Sequence, residues 1–294
     1  MQAPDVEQRT VRSFDGTPIA YQVCGEGPAV VLSNGLGGTF SAWRHQYALL
    51  GRRYRIISWD YRGLFRSGRP ARLDTLAIAH QTRDLEAILA QEGVERAVFM
   101  GWSMGVQFNF EYYRRHAEQF AGLVVLNGVA GHPFNTAFGI PMMESLLPLL
   151  IGLLKHGSTV VSTGTRLAAR WDGLVPLLQR MGMVASTLDT DVFHDLALEY
   201  ADLDFEAYGE TLLQLGQHDA ADLLHRVHVP TLVIAGTRDL FTPVKTAQKM
   251  VQMLPDATLQ VVEGGTHYVA VEFPREVNEQ IRAYLKRIAW GNIA

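Results

Sequence analysis

The chain has 294 residues, 48% hydrophobic and 19% charged, enough for one large globular core with room for an inserted subdomain. A formal charge of −4 with no basic stripe argues against nucleic acid as a partner. Cys24 is the only cysteine, which excludes an intrachain disulfide and a thiolate metal cluster.

The opening MQAPDVEQRT lacks the basic and apolar regions of a secretory signal, so the expected location is the cytoplasm. VEQRTVRSF and IAYQVCG flank the turn-like DGTP and predict an antiparallel hairpin at one sheet edge, with Cys24 a packed or partly exposed thiol. Six short apolar runs follow: AVVLSN (29–34), RIISWD (55–60), AVFMG (97–101), GLVVLN (122–127), TLVIAG (231–236) and TLQVVEG (258–264). Continuous rather than alternating apolar residues predict strands buried on both faces, as in a parallel sheet. Between them, Ile78, Leu85, Ile88 and Leu89 share one face of a predicted helix near 75–92. Val277, Ile281, Tyr284, Leu285 and Ile288 stripe a last helix that Pro274 starts.

Strands alternating with helices define a doubly wound α/β fold. One region breaks the rhythm. From 131 to 225 only helix-like patterns occur, which predicts a helical cap inserted into a core made of 1–130 and 226–294. The most apolar stretch, Phe138 to Leu154, is short and carries Pro141, Glu144 and Pro148, so no stable membrane insertion is expected. Asp189, Asp191, His194 and Asp195 fit no metal-ligand spacing and read as the start of a solvated helix.

In open α/β sheets the site lies beyond the carboxyl ends of the strands. Ser103 follows the run AVFMG inside GWSMG and opens a helical stretch. There, side chains at Gly101 or Gly105 would collide with neighbouring elements. A serine hydroxyl needs a base to take its proton, and His267 in GGTHY sits past the last strand. The imidazole needs a carboxylate to fix its tautomer, and Asp239 follows the penultimate strand; Asn127, at the other familiar position for this acid, cannot serve. The N–H groups of Leu36, in the loop Asn34-Gly35-Leu36-Gly37-Gly38, and of Met104 are the candidate oxyanion donors, with Gly35 letting the loop turn toward substrate. Gly35, Trp102, Phe138, Met142, Phe241 and Tyr268 are the candidate substrate-binding residues.

With SNGLGG, SWDYRGLFRSGRP, VFMGWSMGVQ, VPTLVIAGTRDLFTP and GGTHY in order, the chain resembles the α/β-hydrolase superfamily over nearly its whole length. Within it, the likeness is to the cap-bearing group of serine esterases, lactonases, cofactor-free haloperoxidases and carbon–carbon hydrolases. The resemblance implies an α/β-hydrolase fold, a Ser103–Asp239–His267 triad and an acyl-enzyme route. It also implies a small-molecule substrate, an apolar ester or lactone, with no metal or organic cofactor. Asn34-Gly35 stands where many relatives have His-Gly and is similar to the loop of enol-lactone hydrolases. Phe65-Arg66 replaces a usual glycine in the loop that Asp60 and Arg62 are expected to brace. Met104 argues against halide binding, and Tyr268 weakens the carbon–carbon hydrolase reading. Carbon–carbon cleavage, acyl transfer and a non-catalytic ligand-binding scaffold remain the alternatives.

Overall fold

A computed structural model describes residues 5–135, 151–152 and 158–291. The strands β1 (Val6–Arg12), β2 (Pro18–Cys24), β3 (Ala29–Ser33), β4 (Arg55–Trp59), β5 (Ala97–Trp102), β6 (Phe120–Leu126), β7 (Thr231–Gly236) and β8 (Ala257–Val262) form one sheet. Their order is β1-β2-β4-β3-β5-β6-β7-β8. The hairpin β1–β2 joins antiparallel to β4, and every pair from β4 to β8 is parallel.

The apolar runs form strands because both sheet faces are covered. Val31, Ile57, Phe99, Val125 and Val233 point into one core with α2 (Ile78–Gln91) and α3 (Met104–His116). Their neighbours Val30, Ile56, Val98, Val124 and Leu232 point into the other, with α1 (Arg44–Leu50) and the last helix. Alternate residues thus enter opposite cores, and no polar alternation survives. β8 departs from the expectation of two buried faces. It is the sheet edge, and Val261 is 41% exposed.

Pro274 is the first residue of the last helix, Pro274–Arg287, as its missing N–H allows. Cys24 is buried in β2, and burial pushes its thiol up to about 11. Arg62 is fully buried. It donates to Asp84 from Nε at 2.9 Å and from Nη2 at 2.5 Å, and to Asp15 from Nη1 at 2.9 Å. Phe65, where a glycine is usual, takes the left-handed backbone conformation at φ 51° that a glycine would adopt without strain.

Between β6 and β7 the chain leaves the sheet. Its described residues there form α4 (Ser158–Ala169), α5 (Leu174–Arg180), α6 (Thr190–Ala201) and α7 (Phe205–Gln217), with no strand among them. Asp189 caps α6 by accepting from the N–H groups of Asp191 and Val192. Among the described residues no helix is long and apolar enough to cross a membrane, and no cluster of His, Cys, Asp or Glu could hold a metal.

Candidate active site

Ser103 stands between β5 and α3 with φ 55°, a left-handed value that is costly outside glycine. The strain persists because the turn is wedged in place. A Cβ on Gly101 would lie 2.7 Å from the Gly105 backbone, and one on Gly105 would overlap the Ser33 carbonyl. The Ser103 N–H is tied to the Leu126 carbonyl at 3.1 Å, and its carbonyl accepts from Val106 N–H at 3.0 Å.

His267 Nδ1 donates to Asp239 Oδ2 at 2.9 Å. The carboxylate is almost fully buried and saturated with donors. The N–H groups of Phe241 and Thr242 reach Oδ1 at 2.8 and 3.0 Å, and the Thr242 hydroxyl reaches Oδ2 at 2.6 Å. Burial alone would raise the Asp239 carboxyl; His267 and the Thr242 donors outweigh it and hold it below the usual range.

Ser103 and His267 line one cavity of about 420 Å³ at the strand ends. Among the described residues their side chains form no direct hydrogen bond; such contacts commonly tighten only when substrate binds. The walls are largely apolar and include Leu36, Phe134, Leu174, Phe193, Leu196 and Leu215, drawn from core loops and from α5–α7.

Gly35, Leu36, Trp102, Phe241 and Tyr268 all line this cavity. Phe138 and Met142 lie outside the described residues. Met104 is buried at the first turn of α3, where a helix leaves its N–H groups unpaired. Among the described residues neither its N–H nor that of Leu36 has a protein acceptor.

Gly35 corrects one expectation: its φ is not in the left-handed region, so it is not the turning residue. A Cβ there would meet the Trp102 ring at 3.0 Å, while the left-handed residue of the loop is Gly37, at φ 79°. Asn34 points inward. Its Nδ2 donates to the Trp59 carbonyl, and its Oδ1 accepts from Trp43 Nε1, each at 2.8 Å.

Three supports escape the sequence reading. Asn127, dismissed as an acid, donates from Nδ2 to Asp239 Oδ2 at 2.7 Å and to the Thr266 carbonyl at 2.6 Å. Trp102 Nε1 donates to the His267 carbonyl at 2.8 Å. Glu272 accepts from the N–H and hydroxyl of Thr266 at 2.7 and 2.6 Å, fixing the histidine loop from behind. A buried acid in the apolar run YVAVEF was the available signal for it.

A serine on a strained strand-to-helix turn, a histidine–carboxylate pair and an inward-facing glycine loop at the ends of a parallel sheet define an α/β hydrolase. Residues 30–280 match the alpha/beta hydrolase family, and the chain belongs to it. It is 29% identical over 264 residues to a 3-oxoadipate enol-lactonase of Acinetobacter baylyi, covering 88% of this chain and 89% of that one. A protein of Pseudomonas syringae pv. syringae designated a carbamate hydrolase is 28% identical over 268 residues, covering 88% and 94%. The fold is shared with an esterase of Exiguobacterium antarcticum at a TM-score of 0.76 and 23% identity, covering 95% of this chain and 100% of that one.

Proposed function

We propose that the protein hydrolyses a carboxylic ester or lactone through an acyl-enzyme on Ser103. The observation that carries this reading is that the strained Ser103 faces the same cavity as His267, whose far nitrogen is held by Asp239. In this mechanism His267 Nε2 takes the proton as Ser103 Oγ attacks the carbonyl carbon. The N–H groups of Leu36 and Met104 hold the oxyanion as it forms. Collapse expels the alcohol, which receives the proton from His267. Water then attacks the acyl-enzyme by the same route and frees the acid and Ser103. Asp239 keeps Nδ1 protonated, so Nε2 presents its lone pair to the serine, and it stabilises the imidazolium. The helices between β6 and β7 act as the cap that closes the cavity from water. The relatives named as a lactonase and a carbamate hydrolase support acyl chemistry of this kind.

The test is pre-steady-state kinetics on 4-nitrophenyl esters of rising chain length, with lactones and aryl carbamates alongside. A burst of nitrophenol equal to one active site, lost in Ser103→Ala together with about 10³-fold or more of kcat/KM, is the expected result. Turnover surviving in Ser103→Ala, or failure of a fluorophosphonate to label Ser103, overturns the reading.

A further inference from the structure

The proposed chemistry uses the floor of the cavity and leaves one wall unexplained. Tyr200 from α6 and Tyr208 from α7 both face into it. Their rings meet edge to face, with centroids 5.3 Å apart at 84°. Both rings lie against the glycine loop: a Cβ on Gly37 would come within 2.8 Å of the Tyr200 ring and 3.3 Å of the Tyr208 ring.

Two hydroxyls offer two donors and four lone pairs. Both side chains line the largely apolar cavity, so their O–H groups are placed to donate to a ligand there. A ligand that supplies an acceptor to these hydroxyls gains a hydrogen bond shielded from bulk water.

We propose that Tyr200 and Tyr208 form a hydrogen-bonding subsite that selects esters or lactones carrying a second, uncharged oxygen acceptor, such as a ketone, away from the scissile carbonyl. This rests on the ester-hydrolase reading above. The acceptor is neutral because the surroundings resist negative charge. Burial pushes Tyr200 up, pushes Tyr208 far up, and takes the neighbouring Tyr268 to about 12. A wall that disfavours a phenolate disfavours a carboxylate for the same reason. Glu199 is the positioning residue for the pair. Its carboxylate accepts from the hydroxyls of Thr39 and Ser41, which fastens α6 to the chain just after Gly38.

The experiment measures kcat/KM for matched esters. One series compares 4-nitrophenyl heptanoate with its 5-oxo and 6-oxo analogues and with the 4-nitrophenyl monoester of pimelic acid. A second compares hexyl butyrate with butyrates of oxohexanols, which places the ketone on the alcohol side. At least one oxo ester should exceed its parent by about 3- to 10-fold, the worth of one buried neutral hydrogen bond. The carboxylate-bearing ester should fall below its parent. In Tyr200→Phe, Tyr208→Phe and the double variant, the oxo-to-parent ratio should drop to within about twofold of one.

No preference in either series, or a preference that survives the double substitution, overturns the subsite. Fluorophosphonate labelling of the same preparations separates the two possible failures. Labelled Ser103 with a flat ratio refutes the tyrosine subsite alone. Unlabelled Ser103 without turnover refutes the hydrolase reading, and the subsite with it.

Discussion

Asn127 holds a left-handed backbone at φ 41° and spends its side-chain amide on the Asp239 carboxylate and the Thr266 carbonyl. It therefore stands one hydrogen bond behind the histidine–carboxylate pair. Asn127→Asp sets two carboxylates against each other, and the pair can then keep only one charge cheaply. Its kcat/KM on 4-nitrophenyl butyrate should fall about 10-fold or more. In an Asp239→Asn background the same change supplies the missing charge, and the double variant should exceed Asp239→Asn by at least about 10-fold. A double variant no better than Asp239→Asn would show that position 127 cannot reach the imidazole. The pair Ser103 and His267 was legible because each follows a strand that the apolar runs mark, and strand ends converge in this fold. Tyr200 and Tyr208 were not legible. On an amphipathic helix the face turned to a cavity and the face turned to a core carry the same apolar period.

At the level of elements, α6 is fastened to the segment after β3 along its whole length. Asp189 at its start accepts from His45 Nε2 at 2.9 Å, Asp195 in its middle pairs with Arg44, and Glu199 near its end accepts from Thr39 and Ser41. These links are unequal. Arg44 and Asp195 are each more than a third exposed, so solvent screens that pair to little net worth. Glu199→Ala should therefore raise KM for neutral esters by about 10-fold or more, the loss expected for hydrogen bonds to a charged group. Arg44→Ala should leave KM within about twofold. Equal effects of the two substitutions would argue that α6 is held by its apolar face, through Val192, Phe193 and Leu196, rather than by Glu199. The strands and the helices flanking them could be read from local periodicity alone. The fastening of α6 could not, since it joins residues some 150 positions apart through single polar contacts that leave no local pattern.

Across the whole molecule, the loop after β4 ties the hairpin edge to the helical layer and carries a buried charge. Asp60 is almost wholly inaccessible, and burial raises its carboxyl to about 6 despite the Arg66 N–H that it accepts. The folded protein therefore binds this proton more tightly than the unfolded chain does. The group's contribution to stability is full below the unfolded value near 4 and is lost as pH rises through about 6. Asp60→Asn should cancel that loss. The melting temperature of the variant minus that of the parent should climb between about pH 4 and 6, then level off. A difference flat across that window would mean that Asp60 keeps an ordinary carboxylate in the fold. The loop pattern predicts that Asp60 and Arg62 are hydrogen-bonded in place, and both are. That Arg62 meets two carboxylates while Asp60 accepts from the Arg66 N–H has no local signal, because burial is a property of the assembled sheet.

The long excursion between β6 and β7 starts and ends on strands that pair directly with each other, Leu123 opposite Thr231 through Leu126 opposite Ile234. Its two anchors stay a fixed distance apart whatever lies between them, and the entropy of closing such a loop grows only slowly with its length. Descent with modification can therefore lengthen, trim or exchange this stretch without shifting the register of a single strand or moving Ser103, Asp239 or His267. The sheet that holds these three residues and the helices that wall the cavity above them are heritable separately, and a lineage can retain the first while it diversifies the second.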